Sequence, residues 1–338
     1  MLSFEEALAR SHEIHKKRHL LLGNGFSIAC RPDCFTYKRI LDEADFKPLS
    51  VAGAELFESE ETADFELVIR SLRAAARMAD FYETSDAELS GRLRADADRL
   101  KDVLANTLAK KHPDNVGEIE NSEYESVRHF LAHFDRFYTL NYDLLLYWAM
   151  MQGLEPSFKH DDGFRTDPDE PDAEWVAWNS YNQYGQNVFF MHGGLHLYSE
   201  GAILKKLTFS RTRIALVDQI REQLDAGAFP LIVTEGTAAE KLSGVLAHAY
   251  LGKCLRSLSS CDGSLFIHGH SLAENDDHIL RAVVEAKFKA IFVSLHGDPE
   301  DEDNQAVRER AEALSLRRPE KKPLEIHFYS ADSASAWK

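Results

Sequence analysis

Thr139-Leu140-Asn141-Tyr142-Asp143 closes the apolar run Phe137-Tyr138-Thr139-Leu140, and two further stretches are built the same way. Gly23-Asn24-Gly25-Phe26-Ser27 follows Leu20-Leu21-Leu22, and His192-Gly193-Gly194 follows Val188-Phe189-Phe190-Met191. A short apolar run ending in glycine or polar residues reads as a buried strand entering a turn. Three such strand ends predict an open, mostly parallel sheet, whose ligands bind in the crevice beyond the carboxyl ends of its strands.

Working outward, the residues between the first two strands read as helix. Phe65, Val68, Ile69 and Leu72 recur at helical spacing, and Leu93, Leu100 and Leu104 extend a similar stripe. Residues 37–133 are therefore expected as a long helical insertion after the first strand. Met1 to Arg18 reads as an amphipathic helix with Phe4, Leu8 and Ile14 on its apolar side. Further strands are expected at Lys206 to Phe209, Phe229 to Val233, Ser264 to His268, Ala290 to Ser294 and Leu324 to Tyr329. Helical runs at Arg211 to Leu224 and Ala239 to Leu258 separate several of them, and Lys159 to Gln186 reads as an Asp/Pro-rich loop. The expectation is one α/β domain over residues 1–338, a Rossmann-like sheet of about six or more strands with helices on both faces.

Composition narrows the function. The 338 residues are 44% hydrophobic and 28% charged, with a formal net charge of -17. That balance disfavours direct nucleic-acid binding, which excess Lys and Arg carry, and docking on anionic membranes. The basic stretches His15 to His19 and Arg317-Arg318, and the acidic run Asp298 to Asp303, read as solvated surface. No secretory signal or membrane-spanning run of roughly 20 apolar residues is read. Cys30, Cys34, Cys254 and Cys261 form no C-x-x-C pair and suit a cytoplasmic protein.

Each strand end carries chemistry and a blander alternative. Gly23 and Gly25 let backbone N–H groups face an anion, with Asn24 and Ser27 in reach of ribose or phosphate oxygens; a plain tight turn explains the glycines as well. The dinucleotide spacing G-x-G-x-x-G is absent, since Ile28 holds its third position. Asn141 and Asp143 suit a ribose hydroxyl, a water or a carboxamide, or else a helix N-cap. His192 could take a proton near pH 7, with Gly193-Gly194 clearing space, or be structural. His196 reads as a packing residue, and no metal is expected, since no third ligand accompanies this pair. Gly269 and Ser271 follow another strand, after which Asp276 and Asp277 could hold ribose hydroxyls or cap the helix near His278. Val233-Thr234-Glu235-Gly236-Thr237, with Lys241 close by, is a further strand-end turn to which the sequence assigns no role.

Taken in order, these elements resemble the sirtuin superfamily. Its Gly-Ala-Gly-x-Ser turn, Thr-Gln-Asn-x-Asp strand end, His-Gly and late Gly-x-Ser-Leu are matched by Gly23 to Ser27, Thr139 to Asp143, His192-Gly193 and Gly269-His270-Ser271-Leu272. The paired zinc cysteines of protein-deacylating sirtuins are missing, and the helical insertion resembles the divergent bacterial sirtuin-like proteins, including an uncharacterised family of similar length. The resemblance implies NAD as substrate, cleaved to nicotinamide and ADP-ribose, in anti-phage defence. It assigns catalysis to Asn141 and His192, and NAD binding to Gly23, Asn24, Gly25, Phe26, Ser27, Asp143, Gly269 and Ser271; Asp277, read above as a partner for a ribose hydroxyl, is expected to complete the binding set. It also implies a homo-oligomer or a regulatory defence partner. The alternatives are an NAD or ADP-ribose sensor without turnover, and an NAD-dependent protein deacylase.

Overall fold

The computed structural model describes residues 1–82, 88–180, 184–201, 203–234 and 237–338. Its strands are β1 (Arg18–Leu22), β2 (Arg136–Thr139), β3 (Phe164–Arg165), β4 (Trp175–Trp178), β5 (Val188–Phe190), β6 (Leu197–Glu200), β7 (Ile203–Leu207), β8 (Asp262–His268), β9 (Lys287–Leu295) and β10 (Glu325–Ser330). Six of them form an all-parallel sheet in the order β10-β9-β8-β1-β2-β5. Leu20 to Leu22 in β1 and Leu265 to Ile267 in β8 are fully buried, as central parallel strands covered on both faces require. The chain steps from β1 out to β2 and β5, then returns to the other side of β1 with β8. That reversal makes the β1/β8 boundary the switch point where a crevice opens above the sheet.

Among the described residues, the chain between β1 and β2 is helical, as residues 37–133 were expected to be. Its longest members, Phe65–Ala79 and Leu89–Lys111, pack against each other. Phe65, Val68, Ile69, Leu100 and Leu104 all face the buried interior, so the stripe read from spacing is the packing face. The first helix, Phe4–Ile14, starts at a Ser3/Glu6 capping box and seats Phe4 against Phe130, Phe266 and Tyr329.

Several expectations are corrected. The Lys206 to Phe209 strand is β7, and it lies in a second, antiparallel sheet ordered β3-β4-β7-β6. The β6–β7 link is too short for a parallel crossover, so the two strands form a hairpin. The Lys159 to Gln186 loop supplies β3 and β4 of that sheet, although Asn182 and its neighbours at 181 and 183 lie outside the described residues. Phe229 to Val233 forms only an isolated bridge between Ile232 and Gly193, because Pro230 lacks the donor that a ladder needs. The expected helix Ala239 to Leu258 breaks at His248 into Ala238–Ala247 and Ala249–Ser259. Arg211 to Leu224 is helical only over Leu216–Asp225, after a short turn at Phe209–Thr212. All four cysteines are free, and no helix among the described residues is long and apolar enough to cross a membrane.

Candidate functional site

A cavity of ≈ 310 Å³ sits over the switch point, at the lower end of the size of small-molecule sites. The turns after β1, β2, β5 and β8 contribute Asn24, Asn141, His192 and Ser271, while the insertion closes it with Tyr37, Asp64 and Glu66. Asn141 and His192, fifty-one positions apart in sequence, thus line one cavity.

Hydrogen bonds fix how Asn141 is presented. Its Nδ2 donates to the Gly23 carbonyl (3.1 Å) and to Ser27 Oγ (2.8 Å), and Ser27 Oγ donates to Asp143 Oδ2 (2.5 Å). Both amide hydrogens are spent, so the carbonyl oxygen is the end left to accept from a water or a ribose hydroxyl. Asp143 also accepts from the Leu145 N–H (2.8 Å), starting the helix Leu145–Met151. Asp143 therefore braces the chain just ahead of that helix, whose N-cap position is Leu144, while Asn141 keeps an oxygen free. Burial pushes the Asp143 carboxyl up, against the pull of Ser27.

His192 is 2% exposed. Its Nε2 lies 3.0 Å from His278 Nε2 and 3.8 Å from Asp276 Oδ1, so Nδ1 is the nitrogen turned from that cluster. Burial holds its imidazole well below the usual histidine value despite the neighbouring Asp276. Burial therefore favours the neutral ring, which presents a lone pair but is a weaker base than a free imidazole.

The glycine turns act differently from the expectation. The Gly23 N–H donates to the His268 carbonyl (3.0 Å) and the Gly25 N–H to the Gly269 carbonyl (2.8 Å), so neither is free to hold an anion. Gly269, at φ +71°, lies so close that a Cβ there would stand 2.5 Å from the Phe26 nitrogen. These glycines serve the contact between the two turns. At Gly193 a Cβ would meet the Leu231 carbonyl at 1.9 Å, so that glycine makes room for backbone where a ligand was expected.

Of the remaining expected residues, Asn24, Gly23, Gly25, Gly269 and Ser271 border the cavity. Phe26 and Ser27 are buried beneath it, Phe26 against Trp337. Asp277 points away, into ion pairs with Arg281 (2.6 Å) and Arg317 (2.7 Å), because it opens the helix Asp277–Glu285 on its outer side. Its neighbour Asp276 is the one that reaches the cavity.

Behind this wall an ion cluster joins residues whose pairing no sequence spacing announced. Lys241 has a fully buried side chain and bridges Glu66 Oε2 (2.6 Å) to Asp276 Oδ1 (2.8 Å). His270 Nδ1 accepts from the Leu272 N–H, so a neutral His270 carries its proton on Nε2 and donates to Asp276 Oδ2 (3.0 Å). The Val233-to-Thr237 turn finds its use here. Glu235 and Gly236 lie outside the described residues, but Thr237 and Glu240 form the capping box that launches the Lys241 helix. A lysine four positions before the buried Val245 was the available signal.

His192, Asp276 and His278 bring one ligand atom each to within 4.8 Å of the others. A cation there would have to displace Lys241 from Asp276 and part the two imidazoles from each other. His196, fully buried, packs on Phe190 and Tyr147.

Comparison with curated proteins finds no match. A family model described as a domain of unknown function (DUF4917) matches residues 20–337, from the middle of β1 to just beyond the last helical turn. With the insertion, the cavity and all of the sheet but Arg18 and His19 inside that span, the chain belongs to the DUF4917 family.

Proposed function

We propose that the protein is an NAD glycohydrolase, with the cavity over β1 and β8 as its site. The observation that carries this reading is the meeting of the uncommitted Asn141 oxygen and the neutral His192 ring in that cavity. Water adds to C1′ of the nicotinamide ribose as the C1′–N1 bond breaks, its electron pair passing to the pyridinium nitrogen. Nicotinamide leaves neutral, ADP-ribose forms, and the water's proton goes to His192. The ribosyl centre becomes oxocarbenium-like on the way, which calls for positioning and charge stabilisation more than for a strong acid. Asn141 would orient the water or a ribose hydroxyl. The test follows nicotinamide release from NAD by the purified protein. Asn141→Ala and His192→Ala are each expected to lower the rate at least about a hundredfold; unchanged turnover in both overturns the assignment.

A second reading is a sensor that binds NAD or ADP-ribose without turnover, favoured by the engagement of His192 Nε2 with His278. Calorimetric binding without nicotinamide release would select it. The reading also places the protein in anti-phage defence, held in check by self-assembly or a partner; a monomer fully active alone would argue against that restraint.

A further inference from the structure

Four carboxyl side chains line the cavity, those of Asp64, Glu66, Asp143 and Asp276, and among the described residues no lysine or arginine does. Were all four ionised, only the buried Lys241 would oppose them, and an anionic dinucleotide would be repelled.

A proton on Glu66 would satisfy every hydrogen bond around it. Tyr142 Oη lies 2.7 Å from Glu66 Oε1 and 2.8 Å from the Val233 carbonyl. A phenol has one hydrogen, and a carbonyl can only accept. If the Tyr142 hydrogen goes to Val233, the contact with Glu66 needs a hydrogen supplied by Glu66. The other oxygen, Oε2, accepts from Lys241 (2.6 Å) and from Asn275 Nδ2 (3.1 Å), as the carbonyl oxygen of a carboxylic acid would. Asp276, by contrast, accepts on both oxygens, from Lys241 and His270, as an ionised carboxylate does.

We propose that Glu66 is a protonated carboxylic acid, leaving Lys241 and Asp276 as the ion pair, and that this proton admits an anionic ligand to the cavity. The ligand half of the statement rests on the dinucleotide reading above; the proton itself does not. Glu66 is a positioning residue supplied by the insertion. It joins the helix Phe65–Ala79 to Tyr142, Lys241 and Asn275 without adding charge.

The groups facing Glu66 act consistently. On its own helix Asp64 is the N-cap, accepting from the Glu66 N–H. From other elements come Lys241, Asp276, Tyr142 and Tyr37, with His270 and His192 behind Asp276. Burial pushes the Glu66 carboxyl up, Lys241 opposing, whereas His270 and Lys241 hold Asp276 well below the usual carboxylate value although burial opposes them.

Three measurements test this. Infrared difference spectra of the whole protein against Glu66→Gln should show loss of one protonated-acid carbonyl band; no such difference overturns the proposal. Thermal unfolding should separate two neutralising variants. Glu66→Gln can donate to Tyr142 and accept from Lys241, so it should keep Tm within about 2 °C, whereas Asp276→Asn strips Lys241 of its counter-charge and should lower Tm by about 5–10 °C or more. Equal losses would mean that both carboxyls are ionised, and would also overturn it. Calorimetry with ADP-ribose, which the proposed reaction does not consume, reads the ligand half. Wild-type affinity should fall about tenfold or more as the pH is raised past the point where the infrared acid band disappears, while Glu66→Gln falls less than about threefold. Parallel falls overturn the ligand half. No binding at any pH, with the infrared band and Tm difference present, overturns the dinucleotide reading and leaves the proton in place.

Discussion

At the scale of single residues, neighbours in sequence part company in the site. Asp276 and Asp277 are equivalent on paper, since either could hold a hydroxyl or cap a helix. One residue of helical turn separates a buried carboxylate held by Lys241 and His270 from a surface carboxylate held by Arg281 and Arg317. Only tertiary packing tells them apart. The partners of Asp277 are substantially solvated, with Arg281 64% and Arg317 36% exposed. Asp277→Ala is therefore expected to cost less than about 1 kcal/mol of stability. It should also leave ADP-ribose affinity within about twofold of wild type. A tenfold weakening in calorimetry would return Asp277 to the binding site. Asn141 was legible because a strand end fixes both its depth and its direction. Glu66 and Lys241 were not, because each lies on a helix whose partner face is set elsewhere in the chain.

Among elements, strand ends could be read and the reasons for their glycines could not. The runs before Gly23, Asn141, His192 and Gly269 announce β1, β2, β5 and β8, since strands buried on both faces must be continuously apolar. The small sheet escaped notice because Trp175 to Trp178 lies in an Asp/Pro-rich context and pairs with residues some thirty positions away. The glycine turns were read as ligand cradles, yet they pack turn against turn. Two glycines with the same φ of +71° separate strain from crowding: a Cβ at Gly297 meets nothing within 4 Å, whereas at Gly269 it collides with the backbone of Gly25 and Phe26. Gly297→Ala should therefore cost only the left-handed backbone penalty, about 1–2 kcal/mol. Gly269→Ala must also push the β1 and β8 turns apart, and is expected to cost at least about 3 kcal/mol and to weaken ligand binding. Denaturant unfolding of the pair checks this, and similar losses would mean that the turns are not in contact.

Over the whole molecule, buried histidines tie neighbouring segments together, and burial favours their neutral forms. His19 Nε2 donates to the Asp262 carbonyl, His268 meets Tyr329, and His112 accepts the Leu144 N–H while its other nitrogen donates to the Pro113 carbonyl. Burial pushes His19, His112, His268 and His278 down to about 4, and His192 and His196 well below the usual value. A histidine whose folded value is depressed contributes stability above its unfolded value, near 6.5, and loses it as the pH falls from there toward the folded value. One pH unit into that window each such residue costs roughly 1.4 kcal/mol, so four together approach 6 kcal/mol, on the order of a whole domain's stability. Asp64, Glu66 and Asp143 work in the opposite sense. Their folded values are raised, so protonating them favours the native state as the pH falls through those values, softening the loss. The expected outcome is cooperative acid unfolding between about pH 4.5 and pH 5.5, earlier than carboxylate titration alone would produce. Near-ultraviolet circular dichroism, which reports the packed aromatic rings around Phe4 and Phe266, is the measurement. A native signal persisting at about pH 4 would mean that these imidazoles reach protons without unfolding the sheet, and the neutral-histidine account of its stability would be wrong.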